Sequence, residues 1–479
     1  MKSLLDNTGS EILPPKRNRL PKINLALTMS VSLYAFWLAS ERTWNPDSST
    51  KFGVPSQFYF WNQAKALMHG NLSVRPPHLR TWWFECFTIE HKCYGYFGIT
   101  PSILRMPAVL LFGDNFVGLV PVFVAMGIGL AFWASMDLVH LVLTRYAERN
   151  PTVSDSFVTR WLIVVGALLG PGSVLILLAR SRVYEEAVVW SAAFLCLTLN
   201  LAYRWSRSRS NVQLYGVILT GTLAALSRPN AIPALVVLGV AIVVVSWRWG
   251  GRRTRFLGVG LAVVPAALYV VIFERKFGSF SSFPWSQYGP YISVLQFRHV
   301  ILRNNGGTVG LRFLTTTLAN YFRPDSLRFD FGASWVTLKS ILHGDLIVLP
   351  PAARGQIWGD RVPSLTNLMP VPLVLTGIAV VSQARLVLKK KFEAVALMPA
   401  FMLLAALAGG VPMMIYYAVA GRYLGDLYPL MMVGTAFSLP IVLDHVLKSR
   451  RMARFIFPVA AFSAVASTFV LYQIRDSVF

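Results

Sequence analysis

The chain of 479 residues is short of charge: only 14% of it is Asp, Glu, Lys or Arg, where a soluble domain carries about a quarter. Acidic residues are the scarcer half, 21 against 45 Lys and Arg. No segment is large and polar enough to be a soluble nucleotide-binding domain, which excludes the enzymes that draw on nucleotide-sugars through one. Cysteine and histidine are also rare, at 3 and 7 residues, and show no zinc or haem spacing. No period of roughly 20–50 residues recurs, which argues against a solenoid. The strict alternation of a transmembrane β-barrel is absent as well.

What is abundant is apolar sequence: 55% of residues are hydrophobic and the mean hydropathy is +0.53. Apolar runs of about 18 or more residues, each long enough to cross a bilayer, recur from end to end. They lie near 23–40, 116–143, 161–179, 186–203, 212–227, 231–247, 256–273, 368–385, 394–419, 427–447 and 455–473. The expected class is an all-α polytopic membrane protein with about eleven spans. A net charge of +24 would suggest nucleic acid in a soluble protein. Here "RYAERN" with Arg160, "RWSRSR", "WRWGGRRTR", "RLVLKKK" and "KSRRMAR" fall on alternate loops, on the side of the basic tail "PPKRNRLPK". The positive-inside rule makes that side cytoplasmic, so the bilayer is the expected partner and nucleic acid is not. The tail has no small-residue cleavage site, and the first run reads as a retained span.

The expected organisation is a cytoplasmic tail over 1–22 and a transmembrane module over 23–273 with its first external loop at 41–106. A large external loop over 274–367 and C-terminal transmembrane helices over 368–479 complete it. The location that follows is the cell (plasma) membrane, multi-pass, with the N-terminus inside. Within the external loops, "PSQFYFWNQAKALMHG" and "GLRFLTTTLANYF" read as amphipathic helices lying along the interface.

Ionisable residues on the external side collect at four bends. Glu41, Arg42 and Asp47 follow the first run, and "ARSRVYEEAVVW" supplies Arg180, Arg182, Tyr184, Glu185 and Glu186. "LSRPNAIP" supplies Arg228 and Asn230; "AGRYLGDLYP" supplies Arg422, Tyr423 and Asp426. Charge at this depth is costly unless paired or used. The bends therefore either carry function or hold interfacial charges and Arg–Glu pairs that tie loops together. A carboxylate here suits a general base on an acceptor hydroxyl. Arginines suit a phosphate, which they grip through two parallel donors. Together they describe sugar transfer from a polyprenyl-phosphate carrier to a glycan, lipid or protein acceptor of the cell envelope, with Arg228, Arg422 and Arg182 as phosphate ligands. Tyr184, Asn230, Tyr423 and Asp426 are expected to contact substrate. A transporter or flippase for a lipid-linked sugar is the rival, and an O-antigen-type polymerase a third reading. The transporter would need polar groups near the bilayer midplane, whereas these spans are polar mainly at their outer ends.

An acid after the first span, an acidic bend after the third and "RPN" after the fifth resemble the GT-C glycosyltransferase superfamily, which includes protein O-mannosyltransferases and lipid A aminoarabinose transferases. "NQAKALMHGNLSV" and "KCYGYFGITPSILRMP" are similar to uncharacterised multispan actinobacterial proteins. The resemblance covers roughly 23–273. It implies a GT-C fold, inverting transfer, and a first-loop catalytic base, either Glu41 or Asp47. It matches the second acidic bend to Glu185 or Glu186 and leaves room there for a divalent cation, Mg or Mn. Two adjacent glutamates on a helix point about 100° apart. One, with Glu185 preferred, is expected to face the cavity, and the other to pair with Arg180 or Arg182 or to face solvent. Either could also be a helix-start charge that the dipole favours.

"ECFTIEHKC" places Cys86 and Cys93 on the external face, where they form a disulfide staple or else remain two packed thiols. Glu85, Tyr94, Tyr96, Trp82 and Trp83 flank the pair, as a platform for a sugar or as an interfacial aromatic belt. Glu85 and Tyr96 are taken as substrate contacts. His69 and His91 stand alone in loops and read as structural. Asp137 with His140, and Asp444 with His445, sit near cytoplasmic helix ends.

Overall fold

The computed structural model describes residues 19–45, 59–74, 86–113, 119–150, 153–247, 251–280, 282–288, 292, 295–329, 336–338, 358–359, 362–388, 397–448 and 450–474. The chain is an all-α bundle with short two-stranded pairings at its loops. Among the described residues, eight helices are long and apolar enough to cross a membrane, against the eleven or so spans expected; the helices in the runs at 161–179, 212–227 and 394–419 are shorter. Each of the eleven apolar runs holds a helix. These are α1 (Arg19–Ala39), α4 (Val120–Arg149), α5 (Asp155–Leu169), α6 (Val183–Ser208), α7 (Asn211–Ser227), α8 (Ile232–Ser246) and α9 (Arg252–Phe277) in the first part. After α10 (Leu295–Arg303) and α11 (Leu314–Phe322) come α12 (Pro370–Leu388), α13 (Met398–Met414), α14 (Tyr428–Lys448) and α15 (Arg450–Ile474).

The run at 161–179 is shorter as a helix than expected. α5 stops at Leu169, and Gly170, Pro171 and Gly172 turn the chain into a 3-10 segment, Val174–Leu178. Proline without an N–H and two glycines end the α-helical ladder there, although hydropathy continues unbroken. The remaining apolar residues are buried against the bundle instead of extending the span.

Between α1 and α4 lie α2 (Tyr59–Met68), the strands β1 (Phe87–Ile89) and β2 (Lys92–Tyr94), and α3 (Thr100–Phe112). The amphipathic helices expected in the external loops correspond to α2 and α11. α2 buries Tyr59, Phe60, Gln63 and Ala64 on one face. β1 and β2 pair antiparallel and are joined by the expected disulfide, Cys86–Cys93, with Cα atoms 5.4 Å apart. Cys196 is buried within α6.

The core is built around α6, which packs on α4 and α7, while α1 packs on α4 and α8 on α9. Small residues permit close approach: a Cβ on Gly127 of α4 would sit 2.4 Å from Val189 of α6. Some polar groups inside the bundle are matched to one another. Tyr428 donates to the Leu169 carbonyl at 2.9 Å, and Arg204 pairs with Asp137 near the far end of α6. α1 and α7 end, and α6, α8 and α14 begin, at one common end of the bundle, which carries the candidate site.

Candidate active site at one end of the bundle

Three of the four charged bends meet around a cavity of about 200 Å³ lined by Tyr96, Tyr184, Arg228, Asn230, Arg422 and Tyr423, with Tyr269 and Tyr416 beside them. Local sequence explains how each bend delivers its side chains. α7 closes at Arg228, whose backbone is extended, and Pro229 then opens a 3-10 turn through Ala231, a position that suits a residue without an N–H. A second 3-10 segment, Gly421–Leu427, leads into α14 and carries Arg422, Tyr423 and Asp426.

Asp426 is buried and accepts from both neighbours: Arg228 Nη1 at 2.9 Å and Asn230 Nδ2 at 3.1 Å. The Arg228 guanidinium lies 5.3 Å from the Tyr423 ring. Arg422 lies 4.4 Å from the Tyr184 ring and 5.2 Å from Tyr423. Two cations are thus held over aromatic faces, each such contact contributing about 0.5–2 kcal/mol. Tyr416, behind them, is half-buried.

The two glutamates of α6 have separate surroundings. Glu186 is fully buried, and Arg105 of α3 grips both its oxygens: Nη1 to Oε1, and Nη2 to Oε2 at 2.7 Å. Arg105 also lies 4.3 Å from the Phe123 ring. This corrects the expected partner, Arg180 or Arg182. Glu186 is two positions past Tyr184, about 200° round the helix, and so faces α3 and α4, away from the cavity. The signal for Arg105 was present, a lone cation within the apolar "SILRMPAVLLF", but it fell at the edge of a presumed loop. Glu185 is also fully buried, and neither of its oxygens has a hydrogen-bond partner among the described residues. Among those residues, Glu185, Glu186 and Arg182 do not line the cavity. Arg182 takes the N-cap position of α6.

The fourth bend lies against the second. Ser181 Oγ donates to the Ala39 carbonyl at 2.8 Å, which ties the start of α6 to the end of α1. Just beyond, Glu41, Arg42 and Trp44 adopt φ of 57°, 66° and 59°, each costing about 1–2 kcal/mol for a residue with a side chain. Left-handed backbone of this kind collects at working sites. Arg42 stands 4.7 Å over the Tyr472 ring. Asp47 and Glu85 lie outside the described residues.

Sequence reading also missed Lys276, a buried cation at the end of α9. Its Nζ donates to the carbonyls of Gly95 at 3.1 Å and Phe97 at 2.8 Å. Gly95 N–H donates to Tyr59 Oη at 2.8 Å, and a Cβ on Gly98 would meet the Leu226 carbonyl at 1.8 Å. The segment that carries Tyr96 into the cavity is thus clamped on three sides. For a divalent cation the described residues do not suffice: Glu186 is occupied by Arg105, and no three His, Cys, Asp or Glu side chains come together among them.

No protein-family model matches the chain, and no curated protein matches it in sequence. Solved structures do match. The oligosaccharyltransferase of Archaeoglobus fulgidus in its apo form superposes with a TM-score of 0.51 at 16% identity, over 95% of this chain and 56% of that one. The same protein tethered by a disulfide to an acceptor peptide containing the NVT sequon gives 0.51 at 15%, over 95% and 55%. The chain is similar to them in fold. It spans a little over half the length of that oligosaccharyltransferase. At this identity the likeness speaks for architecture, an all-α polytopic membrane bundle, and the chemistry rests on the site itself.

Proposed function

We propose that the chain is an integral-membrane glycosyltransferase that moves a sugar from a polyprenyl-phosphate donor to a cell-envelope acceptor, a glycan, lipid or protein. The observation that carries this reading is the pair Arg228 and Arg422, set on tyrosine rings around one cavity at the end of an apolar bundle. Asp426 holds Nη1 of Arg228, and among the described residues Nη2 meets only the weak acceptor Met413 Sδ at 3.5 Å, which a phosphate oxygen would replace. Tyr96, Tyr184 and Tyr423 offer ring faces to a sugar and phenols to its hydroxyls. The acceptor hydroxyl attacks the anomeric carbon, the carbon–oxygen bond to phosphate breaks, and polyprenyl phosphate leaves with the bonding electrons. The configuration inverts. The hydroxyl proton passes to a carboxylate, with Glu41, Asp47 and Glu185 as candidates, and Arg228 and Arg422 stabilise the charge on the leaving phosphate. No step is assigned to a metal ion, and chelation during the assay below tests whether one is needed.

The alternating basic loops support placing the site on the outer face of the cell membrane, with the N-terminus in the cytoplasm. The charges of α6, Glu185 and Glu186 near one end and Arg204 near the other, favour transfer at one face over passage through the bilayer. The test is to incubate purified protein with a panel of polyprenyl-phosphate sugars and candidate acceptors. Release of polyprenyl phosphate is expected. Movement of a lipid-linked sugar across vesicles without release would favour the flippase and overturn the reading.

A further inference from the structure

A second concave site lies beside the first, between α2 and the β1–β2 hairpin, and encloses about 580 Å³. One wall is α2 and the turn that follows it: Asn62, Lys65 and Ala66 of the helix, and His69 just past its end. His91 and Lys92 of the hairpin line it from the other side, with Asn71 and Ser73. Two ammonium groups, two imidazoles and two amides therefore converge, and no Asp or Glu lines the groove among the described residues. Glu90, on the hairpin turn, is the neighbouring acid and is exposed.

The hairpin tip is built to hold its shape. Ile89 pairs with Lys92, so Glu90 and His91 form a two-residue turn, with φ of 49° and 61°. Such turns ordinarily use Asn and Gly, and two larger side chains in left-handed backbone are disfavoured unless their surroundings impose it. The disulfide joins the hairpin strands, and Val74 and Cys93 exchange backbone hydrogen bonds at 2.9 and 3.2 Å. The cations of the groove thus sit on a rigid frame.

We propose that this groove binds an anionic saccharide chain, one bearing carboxylate or phosphate groups, and presents it to the transfer cavity as the acceptor. The acceptor role rests on the proposed glycosyltransferase function; the binding does not. Lysines supply charge, amides supply donors and acceptors for hydroxyls, and the volume suits several sugar units. Among the described lining residues, Ala66 and Val74 are the apolar ones. Lys92 and Tyr96 are four residues apart on the segment leading from the hairpin to the cavity, roughly 13 Å if extended. A short oligosaccharide spans that distance.

The experiment measures binding of fluorescent oligogalacturonate, and of a neutral galactose oligomer of equal length, to the purified full chain in detergent. The anionic chain is expected to bind at least about tenfold tighter, and to weaken as salt rises. The double variant K65E/K92E should lose that preference, and K65R/K92R should keep it. Thermal unfolding confirms that the first variant is folded; if it is not, the contrast between anionic and neutral chains in the unaltered protein still decides. Equal affinity for the two chains, or a preference unchanged in folded K65E/K92E, overturns the proposal. So does capture by phosphatidylglycerol vesicles without binding of the saccharide, which assigns the groove to lipid headgroups. No donor enters this assay, so its failure leaves the transfer reading standing, and a failed transfer assay leaves the binding result standing.

Discussion

Replacing each α6 glutamate by glutamine separates a structural carboxylate from a working one. Glu186 and Arg105 are both almost fully buried, and two parallel hydrogen bonds join them. Glu186→Gln removes the charge that compensates Arg105 and leaves a guanidinium in a low-dielectric pocket between α3, α4 and α6. Breaking a buried pair from one side costs about 3–5 kcal/mol, enough to lower the thermal midpoint by several degrees. Glu185 has no hydrogen-bond partner for either oxygen among the described residues. Glu185→Gln therefore breaks no hydrogen-bonded pair seen among the described residues, so the midpoint should hold. Unfolding of the purified variants, followed by intrinsic fluorescence, reads the first difference. Release of polyprenyl phosphate reads the second: since Glu185 is fully buried and outside the cavity lining, only loss of transfer in folded Glu185→Gln would keep it among the candidate bases. Equal midpoints in the two variants would refute the pairing argument. Full transfer by Glu185→Gln would return the search for the base to Glu41 and Asp47.

Arg228→Lys and Arg422→Lys keep charge but lose the flat two-pronged donor, so the donor KM should rise about tenfold with a smaller change in kcat; unchanged donor affinity in both would remove them from the phosphate site. Cys86 and Cys93 should resist alkylation until reduced, and Cys93→Ala should destabilise the hairpin by about 2–3 kcal/mol, from the entropy of so short a closed loop, read as faster local proteolysis. Gly98→Ala would place a methyl 1.8 Å from the Leu226 carbonyl, so it should displace Tyr96 and depress transfer even where the protein accumulates normally. A reporter fused after Lys391 should be cytoplasmic and one within 274–367 external; both on one side would overturn the orientation.

The sequence by itself determined where the long apolar helices are, because hydropathy over about 18 residues is a local property, but not α3 or α10, which fall in or at the edge of the expected external loops. The disulfide and the amphipathic α2 were legible for the same reason, since spacing and face are local properties. The meeting of Tyr184, Arg228, Asn230 and Arg422 could be anticipated too, as bends at one depth of a bundle have few places to go. Tertiary structure decided the pairings. No local pattern near Glu186 points to Arg105, 81 residues earlier in the chain, because a buried charge takes its counter-charge from whichever helix packs against its face. Nor does anything around Lys276 announce the carbonyls of Gly95 and Phe97. α5 stops at Leu169 while the apolar run continues, since hydropathy is blind to backbone geometry and Pro171 is not. Glu185 and Glu186 are adjacent in the sequence and chemically alike, and only the angular step of the α-helix, set against the positions of α3 and α4, gives one Arg105 as its partner and leaves the other without a hydrogen-bond partner among the described residues.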